Sequence, residues 1–550
     1  MKLVKVGAGF ASAAALVAII TLLSRVVGFG RWLVFAPTVG SEGVGTAYQS
    51  ANLVPNILFE VAVGGALAGA IVPLLAGPIS RGARHETSRI ASALLTWAIT
   101  ILFPASILLA LLSRPLAELI VSSGDSAQQA AGTVDLAGRL LLVFSPQLLL
   151  YGIGAVLTGV LQAHRKFLWP AFVPLLSSLV VIGAYLGYGA VTDGSIPQPA
   201  DVSAGAEALL AWGTTAGVVA ISLPLLLPTR STGVRLRPTW RFPDGVARRA
   251  ISLAGAGIVA LLAQQAAAVV MLTFANRHGG ESVLPVFNYT QAVYLLPYAV
   301  LIVPLATVAF PRLSELAGAG NKAEFAEHAA RTTRVVVATN ALSISALIAA
   351  AIPVGQFFAN LRTEGSTEPS EVLLSMGSAV ALMAVGLWGW GLVAHLSRAL
   401  YALERGRQAA TATGIGWAVA AAGYIGFGVL FARLLPGDRG SATLFGLAAG
   451  NSLGMLVAGV LLLIALRRCA GKDAVRDLPR TIIVSTAGSV VAAAAGWFAA
   501  AWLLRVAEPI GPVSSALVAG IFAALLAIAI VVAVVVLADR STIAAAKALR

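Results

Sequence analysis

Two arginines sit inside the first apolar stretch of the chain, in Ser24-Arg25-Val26-Val27-Gly28-Phe29-Gly30-Arg31. An arginine at the centre of a lipid-embedded helix costs roughly 2.5–3.5 kcal/mol, so such a group usually faces protein, water or a charged ligand. The chemistry these cations offer is electrostatic: they can hold an anion, not break a bond. Six residues at about 100° each set Arg25 and Arg31 about 240° apart on an ideal helix, unless Gly28 and Gly30 let it kink. The next apolar stretch carries Gln49, Asn52, Asn56 and Glu60, whose 3,4,4 spacing defines one helical face and predicts a polar stripe lining a cavity. Two readings stand side by side. Arg25 and Glu60 form a structural ion pair while Arg31 reaches to the outer interface, or at least one arginine meets an anionic substrate.

Other intramembrane polar residues are Gln264, Gln265, Asn288, Gln291, His395 and Asn451, which are expected to hydrogen-bond between helices. Arg139 is expected at the outer interface. No nucleophile–base pair, glycine-rich nucleotide loop or metal-ligand cluster is apparent, so the reading is of a non-enzyme without metal or cofactor. Cys469 stands alone and allows no intramolecular disulfide.

The elements that must position these groups are membrane helices. Hydrophobic residues make up 58% of the 550 and charged residues 11%, where a soluble chain carries about 25% charge. Mean hydropathy is +0.89. Apolar runs of spanning length recur near 9–35, 42–76, 90–112, 135–161, 168–190, 205–228, 249–275, 284–310, 333–353, 372–397, 409–432, 441–466, 481–504 and 513–538. The expectation is an all-α polytopic membrane protein of about fourteen transmembrane helices, with no cleavable signal and no loop large enough for a folded extramembrane domain. With both termini placed in the cytoplasm, twenty-eight of the 37 Lys and Arg fall on inner loops and six on outer ones. That distribution obeys the positive-inside rule. The net charge of +14 therefore reports membrane orientation and anionic lipid rather than nucleic acid.

The chain also repeats. Pro73 in Ala70-Ile71-Val72-Pro73 and Pro311 in Val308-Ala309-Phe310-Pro311 stand 238 residues apart; Ala163 and Ala402, each just before a basic turn, stand 239 apart. Six stretches fit in one period, so the two copies share an orientation. This predicts an N-terminal six-helix lobe over 1–228, a second over 229–466, and two added helices within 467–550. Parallel repeats of this kind are transporter architecture, with alternating access between lobes.

Ser24 to Arg31, then Gly40, Asn52-Leu53-Val54-Pro55-Asn56, Gly65-Ala66 and Val72-Pro73 resemble the N-terminal signature of the MurJ (MviN) family. That family comprises the lipid II flippases of bacterial peptidoglycan synthesis, within the multidrug/oligosaccharidyl-lipid/polysaccharide exporter superfamily. Leu296-Pro297-Tyr298 through Phe310-Pro311-Arg312-Leu313-Ser314 resemble its eighth span. The resemblance implies a V-shaped cavity that binds the diphosphate and sugars of a polyprenyl-linked precursor, with the lipid tail against the last two helices. It implies substrate contacts at Arg25 and Arg31, and the polar set Gln49, Asn52, Asn56 and Glu60 joins them as candidate substrate-binding residues. It implies an inner-membrane protein whose partners are a lipid-linked glycan, membrane lipids and cell-wall synthesis proteins. The chain departs from the family at Thr46, where relatives carry an aspartate, and at Leu53 and Ala292, where they carry basic residues. The cavity is correspondingly less cationic. The leading reading is a flippase of a polyprenyl-diphosphate-linked cell-wall precursor, lipid II first. The alternatives are a small-molecule exporter of the same superfamily, whose cavity favours carboxylates and aromatics, and a non-transporting scaffold of wall synthesis.

The charge distribution generates a topology test. In a Cys469→Ser background, Ser231→Cys is expected to resist an impermeant thiol reagent in intact cells and to react once the membrane is opened. Labelling of intact cells would reverse the assigned orientation.

Overall fold

The computed structural model describes residues 2–121, 127–247, 258–361 and 371–547; the side chains of 2–15, 63–70, 127–129, 508 and 547 lie outside that description. The start of the expected stretch 249–275, together with Arg248, Arg249, Arg362 and Arg550, also falls outside it. The chain is 87% helical, with no strands among the described residues. Two compact units divide it, Met1–Leu261 and Leu262–Arg550.

In the first unit the helices are α1 (Lys2–Thr38), α2 (Val44–Phe59), α3 (Gly65–Ser80), α4 (Arg84–Leu111), α5 (Ser113–Ile120), α6 (Ala127–Phe144), α7 (Gln147–Ala163), α8 (Leu168–Val191), α9 (Ala204–Ser222) and α10 (Leu226–Arg230). A helix α11 (Ile258–His278) leads into the second unit. There follow α12 (Val283–Pro297), α13 (Val303–Gly318), α14 (Lys322–Ala349), α15 (Ala351–Asn360), α16 (Glu371–Leu374), α17 (Met376–Ala384), α18 (Leu387–Ala402), α19 (Gly406–Leu434), α20 (Arg439–Ala470), α21 (Leu478–Val506), α22 (Pro512–Ala538) and α23 (Arg540–Lys547). Among the described residues, twelve helical segments are long and apolar enough to cross a bilayer, and the pair α17–α18, bent by 42°, adds a thirteenth. The remaining expected stretch, 42–76, is helical from Val44 to Ser80 but interrupted. The expected architecture of about fourteen helices therefore matches the observed one.

That interruption is a π-helical turn, Glu60–Gly64. A second one, Tyr298–Ile302, joins α12 to α13. The two turns begin 238 residues apart, the same offset as Pro73 and Pro311. A π turn inserts a residue into the α ladder, and such insertions concentrate at functional sites.

Within the first unit α1 packs on α8, α2 on α6, α4 on α7 and α8 on α9. In the second, α19 and α20 run against each other through glycines: a methyl group on Gly446 would collide with the Gly428 backbone. The helices of the 467–550 segment dock on α14 through small residues, with Ala341, Ala349, Ala492, Ala500, Ala523 and Ala527 all buried. Lipid tails are as apolar as leucine, so membrane helices gain from close van der Waals approach rather than from hiding large side chains. The large side chains point outward instead: Leu517, Ile521, Phe522, Leu525 and Leu537 on α22 are exposed, as a lipid-facing surface requires.

The turn from α22 into α23 is fixed by Asp539, which is buried. Its Oδ1 accepts from the Thr542 backbone N–H at 3.2 Å and from Ser541 Oγ at 2.6 Å, which caps α23. Its Oδ2 accepts from the hydroxyls of Thr481 on α21 and Thr542, each at 2.7 Å. Burial opposes the charge, but these bonds outweigh it and hold the carboxyl below the usual carboxylate range. A depressed folded-state value stabilises above the ordinary carboxylate pKa and loses that contribution as pH falls through the folded one. Asp539→Asn is therefore expected to lower the unfolding midpoint of the purified protein at pH 7, with a cost of about 1 kcal/mol or more from the weakened cap. The gap to the unsubstituted protein should shrink below about pH 4. Thermal melts at both pH values check this; an unchanged gap would remove the carboxylate charge from the account.

Candidate functional site

Helix α1 carries both first-span arginines. Arg25 is exposed and Arg31 half-buried, its guanidinium 5.6 Å from the centre of the Trp32 ring. This cation–π contact holds the charge without neutralising it. Among the described residues Arg25 and Glu60 are not paired with each other, and neither arginine forms an ion pair. The structural ion pair allowed by the sequence is thus not formed.

The polar stripe of the second span runs along α2 to the π turn. Gln49 is buried, Asn52, Asn56 and Glu60 partly so. The Asn56 amide donates to the Asn52 carbonyl at 2.9 Å, and the Glu60 N–H still bonds the Asn56 carbonyl, so α geometry persists through the stripe. Glu60 is also the first residue of the π turn. The structure adds one residue to this group. The Tyr151 hydroxyl on α7 interacts with the Asn56 side chain and lies within electrostatic reach of Arg31; its ring packs at 5.7 Å from Phe59. The Asn56–Tyr151 contact joins α2 to α7, with Arg31 of α1 in electrostatic range of it. The sequence signal for Tyr151 was its position as the one tyrosine in the apolar run 135–161.

Beside it lies a second, closed polar group. The Tyr48 hydroxyl is 2.8 Å from that of Tyr185 and 2.9 Å from Thr214 Oγ1, all buried. Phe35 and Phe144 flank Tyr48 at 5.4 and 5.7 Å between ring centres. Every hydroxyl here has a protein partner, which marks the cluster as an interhelical tie rather than a binding surface. Arg139 also has a structural role beyond the interface position expected for it, since its Nε meets both carboxylate oxygens of Glu207 at 2.9 Å and ties α6 to α9. In the second unit, His395 Nε2 lies 2.9 Å from Thr332 Oγ1 across α18 and α14, and Asn451 is buried beside Tyr294. The interhelical role expected of His395 is therefore present.

The sequence matches the family Lipid II flippase MurJ over residues 35–538. The chain belongs to the MurJ family. It is 25% identical over 403 residues to the probable lipid II flippase MurJ of Rhizobium tropici, covering 72% of each chain. Its fold is similar to a solved structure of lipid II flippase MurJ in an inward closed conformation, with a TM-score of 0.67 at 19% identity, covering 94% of this chain and 98% of that one. It is also similar to an inward-facing multidrug resistance MATE family transporter of the MOP superfamily, with a TM-score of 0.63 at 13% identity, covering 83% and 98%.

The two tyrosine environments of this MurJ-family chain differ: Tyr48 is closed on hydroxyl partners, while Tyr151 lies beside the polar stripe. Tyr48→Phe breaks two buried hydrogen bonds and is expected to cost about 1–3 kcal/mol, lowering the unfolding midpoint. Tyr151→Phe should leave the midpoint near that of the unsubstituted protein while weakening retention of an anionic lipid-linked ligand. Melting curves and ligand binding measured on both variants check the division; a larger stability loss for Tyr151→Phe would reverse it.

Proposed function

We propose that this protein translocates a polyprenyl-diphosphate-linked cell-wall precursor, lipid II in the first instance, across the bacterial cytoplasmic membrane by alternating access. One observation carries the reading: two guanidinium groups on a membrane helix have no acidic partner among the described residues, although Glu60 stands on the neighbouring helix. A diphosphate brings about two negative charges that an apolar cavity cannot hold without cationic or hydrogen-bonding partners. Arg25 and Arg31 supply the charge in this proposal. Gln49, Asn52 and Asn56 supply amide contacts, with Tyr151 beside them, and Glu60 tempers the field.

The proposal involves no bond making or breaking. It treats residues 1–228 and 229–466 as two six-helix repeats and 467–550 as an addition, with both termini cytoplasmic. The partners are the lipid-linked glycan, membrane lipids and the proteins of wall synthesis.

A binding comparison separates this flippase from a cation exporter. Purified protein is expected to bind a polyprenyl-diphosphate sugar in a salt-sensitive way, and Arg25→Ala with Arg31→Ala should weaken binding at least tenfold, with Glu60→Gln weakening it less. Binding that survives the double arginine change but vanishes with Glu60→Gln would put the exporter in place of the flippase. In cells, Arg25→Ala should fail to support growth of a depletion strain while its membrane abundance stays normal.

A further inference from the structure

The segment after α10 is not a free loop. Its backbone N–H groups at Arg235, Arg237 and Thr239 donate to Ser88 Oγ, Ser92 Oγ and Thr96 Oγ1 of α4, at 3.1, 3.0 and 3.0 Å. Two residues of extended chain advance about 6.6 Å and four residues of helix about 6.0 Å, so every second residue of the strap meets every fourth of the helix. Lys166 Nζ anchors one end by donating to Ser231 Oγ at 2.7 Å. Two tryptophans close the other: Trp97 Nε1 donates to the Trp240 carbonyl at 3.1 Å, and Trp240 Nε1 to Thr100 Oγ1 at 3.0 Å. Both rings remain exposed, at 42% and 60%.

Between strap and helix lies a pocket of about 1050 Å³ lined by Arg84, His85, Arg89, Arg230, Arg235 and Arg237, with no acidic residue in its wall. None of these arginines forms an ion pair among the described residues. The pocket of the second unit is built differently: it includes Glu324 and Glu327, and its Arg312 and Arg331 are both paired with glutamates. The basic pocket is therefore a concentration of uncompensated cations on a pinned backbone.

Exposed tryptophans settle at the level of lipid headgroups. Arg237 is held opposite Ser92, five residues or about 7 Å along α4 from Trp97. That offset sets Arg237 on the Arg84 side of the exposed tryptophans, toward the basic end of α4. Basic pockets beside membrane helices on the cytoplasmic side hold anionic headgroups. We propose that this pocket is a binding site for the phosphate headgroup of an anionic phospholipid in the cytoplasmic leaflet, separate from the first-span arginines. The choice of leaflet rests on the topology proposed above; the site itself does not rest on the flippase reading.

The test is native mass spectrometry of delipidated full-length protein titrated with phosphatidylglycerol or phosphatidylcholine. Phosphatidylglycerol is expected to bind at least tenfold more tightly. The combined change Arg89→Gln, Arg235→Gln and Arg237→Gln should remove most of that preference, and lysine at the three positions should restore part of it. Arg476→Gln with Arg480→Gln, in a basic turn of the second unit, should leave it intact; an equal loss there would reduce the effect to general surface charge and overturn the site. Displacement of phosphatidylglycerol by millimolar inorganic phosphate would assign the pocket to a free anion and overturn the lipid source. Should the triple variant fail to fold, Arg237→Gln alone is expected to weaken phosphatidylglycerol at least threefold, and no change would refute the proposal.

Discussion

The cost of an unpartnered charge or polar group in a medium without water governs this chain from end to end. Among the described residues, twelve helical segments and one bent pair meet it by helix formation, which satisfies the backbone internally. Side chains meet it by meeting each other: Arg139 with Glu207, Tyr48 with Tyr185 and Thr214, His395 with Thr332. Against that background Arg25 and Arg31 stand out because the acid available on the next helix does not neutralise them. In the function proposed above, a negatively charged ligand supplies the partner that these two guanidinium groups lack.

The π turns bear on the same constraint. Each leaves the α-helical hydrogen-bond pattern inside an apolar segment, and the two begin 238 residues apart. The first begins at Glu60, the last member of the polar stripe; the second begins at Tyr298, which packs at 5.5 Å from Trp390. The same backbone device therefore begins on an acid in one turn and on an aromatic ring in the other.

Much of the fold was legible because its strongest signal is one-dimensional. Spanning length needs no tertiary information, and among the described residues the helices fall where it indicates. The candidate site was only half legible. Periodicity finds residues that share a face, as with Asn52 and Asn56, but cannot name a partner on another helix. Tyr151 reaches Asn56 across nearly a hundred residues, and Glu207 reaches Arg139 across 68. Nor could spacing decide between an Arg25–Glu60 pair and two separate charges, since that depends on how α1 is turned against α2. The strap on α4 was hidden for a different reason: serine and threonine at every fourth position look like ordinary helix filler until an extended segment 143 residues later arrives to use them.

That separation has a consequence for how the protein is made. A ribosome adds about 5–20 residues per second, so α4 waits on the order of ten seconds for its strap to be synthesised. During the wait Thr96 and Thr100 need no outside help, because each hydroxyl proton is already given to the carbonyl one turn back, at 2.8 Å. What remains on each oxygen is a lone pair, the part that the strap's N–H groups later seek. At these two positions the helix can thus enter the membrane with its hydroxyl protons already placed and receive its covering afterwards, without having to break either bond.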